Sequence, residues 1–213
     1  VGPPGLQLTA ALAPGGAEVA SGVRWRILQD AATGTSADGK ALYEGEDRQV
    51  DIDLQPGSYR VETTFGLATA VQVVKVGANG RTRLQVPLNA GVINVKDSSM
   101  RGGSATDRVF YTLYAGSGVS NERRALSLSS DTLPVYHVPA GTYVVAVQKG
   151  LARIERSVVI AAGTVADIDL PLYLGELALS AVATEGGQPI DRIVFQVFED
   201  DPEAQGGLRE LVR

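Results

Sequence analysis

The chain contains an internal repeat with an offset of 84 residues. The segment at 54–61, LQPGSYRV, recurs at 138–145 as VPAGTYVV. At the same offset, 66–68 and 150–152 both read GLA, and LQVPL at 84–88 corresponds to IDLPL at 168–172. Agreement at several places without a gap indicates that one structural unit is used more than once, so each unit must fold within about 85 residues.

A second set of matches extends the repeat to three copies. The segments VRWRI, VFYTL and IVFQV occupy corresponding places at 23–27, 109–113 and 193–197. The predicted modules are therefore 1–89, 90–173 and 174–213. The third stops before its own Pro-Gly-Tyr segment, and half a sandwich cannot cover its inner face. We expect the native chain to continue beyond Arg213.

Apolar residues alternate with polar ones at a period of two. Trp25 and Ile27 alternate with Arg24 and Arg26, and the same pattern recurs at 49–54 and 59–62. A period of two places apolar side chains on one face of a sheet and polar side chains on the other. Short strands separated by turns within about 85 residues predict an all-β fold of tandem antiparallel immunoglobulin-like β-sandwiches.

Glycine marks the predicted turns between these strands. Paired glycines at 15–16, 102–103 and 186–187 follow the first strand of each module, and we expect Gly57 and Gly141 to supply positive φ between strands. Asn79-Gly80, lying between Val76 and Leu84, predicts a hairpin. No helix is predicted after the glycine pairs, so a phosphate-binding loop is not expected.

The two Pro/Ala-Gly-x-Tyr segments, 54–62 and 138–143, resemble the strand–turn–strand signature of prealbumin-like and carboxypeptidase-regulatory-like modules. These include the Cna-B-type repeats of bacterial surface proteins. The resemblance implies stalks, spacers, adhesion units or accessory domains. It also implies an isopeptide bond between a first-strand Lys and a last-strand Asn, helped by a Glu. Here Glu62 and Asn89 lack a Lys, and Lys96 has Ala146 at the helper position. We therefore expect Lys96 and Glu62 to face solvent.

Composition excludes several classes of function. The chain has no cysteine, which excludes disulfides, zinc–thiolate sites and thiol catalysis. Its net charge is −5 and its basic residues are scattered, so no nucleic-acid partner is expected. No apolar run approaches the roughly 18 residues of a membrane span.

Individual candidates have simple structural interpretations. His137 is the only histidine, which excludes a His-pair metal site and disfavours a Ser-His-Asp triad. We expect it on a strand facing solvent or the sandwich rim. The acidic cluster at 199–203 fits a solvated loop better than a calcium site. The Asp-Ile-Asp pairs at 51–53 and 167–169 fit a polar strand face better than a glycosidase carboxylate pair.

The aromatic residues divide into core and surface candidates. Trp25, Tyr111 and Phe195 share one repeat position and are predicted to lie in the core of each sandwich. Tyr59 and Tyr143 are predicted to be core or corner tyrosines. The exposed candidates for stacking on a sugar are Tyr43, Tyr114 and Tyr136. The loops at 31–40 and 116–121 are where sandwich modules usually place binding residues.

No catalytic, cofactor-binding or metal-binding set is evident, so neither an enzyme nor a cofactor is predicted. The predicted function is a non-enzymatic structural or spacer array that also mediates protein interactions. It would belong to a periplasmic, cell-surface or secreted bacterial protein. One alternative is a module that binds a glycan or protein ligand through the end loops. Another is an accessory segment of an enzyme whose catalytic domain lies outside this chain. The sequence specifies neither the ligand nor the oligomeric state.

Overall fold

A computed structural model describes residues 2–30, 41–96, 108–116, 123–131, 133–175, 177–200 and 206–212. These residues form strands and no helix. The strands are β1 Gly5–Ala11, β2 Val23–Gln29, β3 Tyr43–Gly45, β4 Val50–Asp53, β5 Gly57–Phe65, β6 Ala68–Val76, β7 Arg81–Pro87, β8 Ala90–Lys96, β9 Phe110–Ala115, β10 Ala125–Ser129, β11 Val135–Pro139, β12 Gly141–Lys149, β13 Ala152–Ile160, β14 Val165–Asp169, β15 Val197–Asp200 and β16 Leu208–Val212.

Strands β1–β7 form the first sandwich and strands β8–β14 form the second. In the first, a sheet of order β3-β2-β5-β6 packs on one of order β4-β1-β7. The second repeats this plan with sheets β10-β9-β12-β13 and β11-β8-β14. The predicted all-β sandwich fold is confirmed. One detail was not foreseen: within each smaller sheet the last strand pairs parallel with the first, β7 with β1 and β14 with β8.

Each sandwich has its own apolar core. Trp25 is fully buried in the first core, and its repeat counterpart Tyr111 is 1% exposed in the second. The apolar residues of the alternating run at 23–29 therefore face inward as predicted, and Arg24 and Arg26 lie on the outer face. Phe195, the third member of the set, is 36% exposed, so its predicted core position is wrong. After residue 173, the described residues form one two-stranded sheet, β15–β16, and Phe195 lies just before β15.

The predicted turns at Gly57, Gly141 and Asn79-Gly80 differ from the structure. Gly57 and Gly141 do not have positive φ; each begins a strand, and the ring of the tyrosine two residues later lies beside it. Gly80 has φ +72° as its turn chemistry requires, but β6 and β7 belong to different sheets. Asn79-Gly80 is therefore a crossing between sheets rather than a hairpin. The paired glycines at 15–16 and 186–187 do lie in turns, whereas 102–103 lie outside the described residues.

Candidate functional site: the junction between the two sandwiches

The linker between the two sandwiches is two residues long and has no slack. Strand β7 ends at Pro87 and β8 begins at Ala90. Leu88 and Ala90 are both buried in the first core, and their N–H groups donate to the carbonyls of Ala11 and Leu12 over 2.9 Å each. Because the linker is anchored in the core of the first sandwich, β8 leaves that sandwich in a fixed direction.

The second sandwich holds the same linker from the other side. The Ala140 N–H donates to the Asn89 carbonyl and the Gly163 N–H donates to the Ala90 carbonyl, each over 2.8 Å. Asn89 adopts φ +48°, a left-handed conformation that asparagine tolerates better than most residues. Gly163 has φ +82°, and a Cβ placed on it would lie 3.1 Å from the Cβ of Ala13. The linker is thus bonded to both sandwiches through its main chain.

A third contact lies away from the linker, between the β5–β6 turn and β11. Leu67 donates its N–H to the His137 carbonyl over 2.8 Å. The ring centroids of Phe65 and His137 are 3.9 Å apart, with the ring planes tilted by 37°. Gly66 has φ +59°, and a Cβ there would lie 2.7 Å from the His137 Cβ and 2.8 Å from its carbonyl oxygen. A side chain at Gly66 would therefore force the turn away from β11.

His137 is half-buried at this contact and does not face open solvent. Burial lowers the pKa of its imidazole, so the neutral form is favoured when the two sandwiches are docked. A neutral ring is also the form that packs against Phe65 without losing the hydration of a charge. The prediction of a residue at a sandwich rim is confirmed in part, since the rim in question is covered by the neighbouring sandwich.

A cleft of about 430 Å³ runs beside the junction. Its walls are residues 69–72 of β6, residues 87–89 of the linker, and Pro139 with Ala140. The cleft therefore lies along the outer edge of β6, next to the fixed linker.

The predicted carboxylate pairs bind basic residues. Arg81 lies 2.9 Å from Asp51 and 2.5 Å from Asp53, measured from its guanidinium nitrogens to a carboxylate oxygen of each. Asp167 accepts a hydrogen bond from Asn94 over 2.9 Å and lies 3.8 Å from the Lys96 Nζ. The Arg81 contacts span β1 between β4 and β7, and the Asp167 contacts join the neighbouring strands β14 and β8. These aspartates lie on polar strand faces, as the sequence interpretation predicted.

The residues considered for an isopeptide bond are not brought together. Lys96 is solvent-exposed beside Asp167, and Asn89 lies in the linker rather than on a last strand. Glu62 bridges Arg26 and Arg60. Burial alone would raise the pKa of Glu62, but the hydrogen bonds and charges of the two arginines lower it overall. Glu62 therefore supports a surface ion network, with its side chain only 22% exposed.

No group of three or more His, Asp or Glu side chains is arranged to hold a metal ion within the part of the chain that the structure describes. Glu199, from the acidic cluster, pairs with Arg209 on the neighbouring strand β16. Residues 201–203 of that cluster lie outside the described ranges, so the interpretation as a solvated loop stays a prediction.

The structure confirms the predicted places of Tyr59 and Tyr143 but not that of Tyr136. Tyr59 and Tyr143 are buried, and their hydroxyls donate to the carbonyls of Gln55 and Pro139 over 2.7 and 2.8 Å. This bond to the main chain four residues earlier is a corner arrangement, as predicted. Tyr136 was predicted to be exposed and this is wrong, because it is 6% exposed within the second core.

The two other surface candidates are partly buried. Tyr43 packs against the first core and bonds Asp47, and burial with this bond raises its pKa to about 12. The guanidinium groups of Arg123 and Arg153 lie over the Tyr114 ring, 5.8 and 5.9 Å from its centroid. Two cations therefore occupy the surroundings of this ring where a stacked sugar would bind.

The end loops proposed for ligand binding lie at 31–40 and 116–121, and of these residues only Gly116 is described. Binding of a glycan or protein through them stays a prediction, as does service as an accessory segment of an enzyme. Sequence reasoning missed Gly66 and Leu67, because their identity with Gly150 and Leu151 was taken only as evidence for the repeat. Nothing in the sequence indicated that one of the two identical turns meets a neighbouring sandwich.

No known protein family matches the chain, and no curated protein matches it. Among solved structures it is similar to the Bacillus anthracis TIE protein, at 13% identity over 79% of this chain and 33% of that chain, with a TM-score of 0.29. It is similar to a streptococcal ancillary pilin, at 13% identity over 78% and 61% of the two chains, with a TM-score of 0.36. A minor pilin of Streptococcus agalactiae gives 13% identity, coverages of 83% and 99%, and a TM-score of 0.35.

The chain thus spans a third of the first of these proteins and 61% of the second. Two of the three are pilins. At TM-scores of 0.36 and below, these similarities carry no argument about function. The fold is established by the strands and cores of the chain itself. No helix among the described residues has the length and apolarity to cross a membrane.

Proposed function

We propose that this chain is a rigid, non-enzymatic spacer built from repeated sandwich modules with boundaries at 1–89, 90–173 and 174–213. It would serve a bacterial cell-envelope or secreted protein, in the periplasm, on the cell surface or outside the cell. The observation that carries the proposal is the junction at Pro87–Ala90, where a linker without slack is bonded to both sandwiches. A spacer needs a fixed angle between its units, and this junction supplies one.

The energetics of the junction support a fixed angle. Neighbouring domains move relative to each other by default unless their interface restrains them. Here one backbone hydrogen bond joins Asn89 of the linker to Ala140 of the second sandwich. A second joins Ala90 at the start of β8 to Leu12 of the first sandwich, and a third joins Leu67 to His137. At about 0.5–1.5 kcal/mol each, with about 0.5–1.5 kcal/mol for the Phe65–His137 ring contact, the docked arrangement is favoured by several kcal/mol. The undocked state would then be a minor one.

The distance between two spin labels tests this proposal directly. The chain has no cysteine, so Glu44→Cys and Ser157→Cys introduce unique exposed labelling sites, one in each sandwich. We expect pulsed electron–electron double resonance to give one narrow distribution of the distance between the two labels. Dilution with unlabelled protein removes distances between molecules, and each single-cysteine variant measures what remains. A broad distribution in the diluted sample would contradict the spacer proposal.

A further inference from the structure

Strand β6 is an outer strand whose second edge is open. The two-residue turn closes with the Phe65–Ala68 pair, so alternation along an antiparallel ladder directs the main-chain groups of every second residue away from β5. Two observed bonds confirm which residues these are: Leu67 donates outward to His137, and the Lys75 carbonyl accepts outward from the Thr82 hydroxyl. Between them lie Thr69, Val71 and Val73, whose outward N–H and C=O groups have no hydrogen-bond partner among the described residues.

The side chains of this edge suit pairing with another strand. Val71 is 60% exposed and Val73 is 59% exposed, and both have the β-branched shape that packs well on a sheet. Proteins usually protect an open edge with charged residues, proline or a bulge. None of these occurs on β6 between Ala68 and Val74. The first half of this edge forms one wall of the cleft beside the junction.

The second sandwich shows how the same edge is protected. Its outer strand β13 carries Arg153, Glu155 and Ser157 where β6 has Thr69, Val71 and Val73. Glu155 accepts bonds from Arg153 over 2.5 Å and from Arg123 over 2.7 Å. The two edges have the same place in the repeat, and only the one on β13 is covered by a charge network.

We propose that the open edge of β6 is the site where a second copy of this chain binds. A twofold axis through Val71 would place this valine opposite the second copy's Val71, and Thr69 opposite the second copy's Val73. Each of the three opposing pairs would exchange two main-chain hydrogen bonds. The ladder would end at Leu67 and Lys75, since the outward N–H of Leu67 and the outward C=O of Lys75 are already bonded.

The edge is complementary to itself in charge as well as in hydrogen bonding. Opposing β-branched pairs are favourable, and no two like charges would face each other across the axis. Lys75 would lie opposite the second copy's Leu67, which is 40% exposed in one chain. A heterologous peptide would gain the main-chain bonds but would lack this symmetry of side chains. A stable interface buries about 1,000 Å² of surface, and three residue pairs bury less than that. We therefore expect a weak dimer that forms at high concentration.

A charge placed on the axis tests the interface by sedimentation of the full chain over a range of concentrations. Val71→Lys puts the new ammonium group beside Glu62, its cross-strand neighbour, which preserves the fold. Across the axis it places two lysines against each other. We expect the unchanged chain to dimerise and Val71→Lys to remain monomeric. The matched control Val159→Lys changes an exposed valine on β13 and should dimerise like the unchanged chain.

Cysteine cross-linking tests the register. Opposing residues of a hydrogen-bonded pair have Cα atoms about 5.5 Å apart, within the range of a disulfide. We therefore expect Val71→Cys to cross-link rapidly, whereas Val73→Cys would place its sulfurs about 13 Å apart and remain reduced. A monomeric chain at all concentrations would overturn the proposal, even if a peptide bound the edge. Equal sedimentation of Val71→Lys and the unchanged chain, or equal cross-linking of the two cysteine variants, would overturn it as well.

Discussion

Gly66 and Gly150 provide a matched pair for measuring the contact between the two sandwiches. Both are the first central residue of a two-residue turn, and their φ angles are +59° and +57°. Replacement by alanine should therefore cost the same local strain at each site, about 1–2 kcal/mol. The surroundings differ: a Cβ at Gly150 meets none of the described residues within 4 Å, whereas one at Gly66 overlaps His137.

The extra cost at Gly66 can be worked from the contacts that an added methyl group would break. The turn must move away from His137, because a Cβ would lie 2.8 Å from its carbonyl oxygen. That movement breaks the Leu67–His137 hydrogen bond, at about 0.5–1.5 kcal/mol. It also separates the Phe65 and His137 rings, at about 0.5–1.5 kcal/mol. We expect Gly66→Ala to weaken docking by about 1–3 kcal/mol beyond the effect of Gly150→Ala.

The assay combines urea unfolding with the spin-label distance between positions 44 and 157. Gly150→Ala should lower stability by the local strain alone and leave the distance distribution narrow. Gly66→Ala should lower stability further and broaden the distribution, although the linker bonds of Asn89 and Ala90 remain. If both variants lost the same stability and kept the same narrow distribution, the turn would contribute nothing to docking. The reasoning from the His137 contact would then be refuted.

Three further predictions follow from buried groups. Thr63 is 1% exposed and its hydroxyl has no hydrogen-bond partner in the part of the chain that the structure describes. Thr63→Val should therefore stabilise the chain by about 1 kcal/mol in urea unfolding, as Val147 at the same repeat position suggests, and a loss of stability would contradict this. A Cβ on Gly91 would lie 2.4 Å from the buried methyl group of Ile160, so Gly91→Ala should cost about 1–3 kcal/mol of stability. Gly175→Ala should cost little, because a Cβ there meets no described residue within 4 Å, and equal effects would count against the packing argument. Burial lowers the pKa of His137, so docking is strongest above its ordinary value of 6.5 and should weaken as pH falls from there towards the lowered value; the spin-label distances should broaden between about pH 7.5 and about pH 5, and His137→Phe should abolish that change.

The sandwich fold could be predicted from sequence because its signals are local. Trp25 and Tyr111 lie at one repeat position within runs of period two, and a residue on the apolar face of such a run has one sheet face available to it. Turn chemistry is local as well, which is why Gly80 has the expected positive φ. Which sheet the following strand joins is not a local property. The crossing at Asn79-Gly80 was therefore mistaken for a hairpin.

The junction could not be predicted because it depends on how two folded units meet. His137 is a strand residue of the second sandwich, and the turn at Gly66 of the first sandwich packs on it. Tyr136 was misplaced for a related reason. It and its neighbour His137 were both expected at the surface, although a period of two places adjacent strand residues on opposite faces of a sheet; Tyr136 is the one that faces inward.

Comparison of the two sandwiches locates what is specific to the array. Where the copies agree, as at Tyr59 and Tyr143, the shared residue serves the core or a corner of each unit. Where their surroundings differ, the difference marks a contact that a single unit would not need. Gly66 meets a neighbouring sandwich, whereas a Cβ at Gly150 would meet no residue of the described ranges. A spacer requires fixed junctions along its length, and lateral association requires one open edge per chain. The positions at which the two copies differ are therefore those that fix the junction and leave the edge of β6 open.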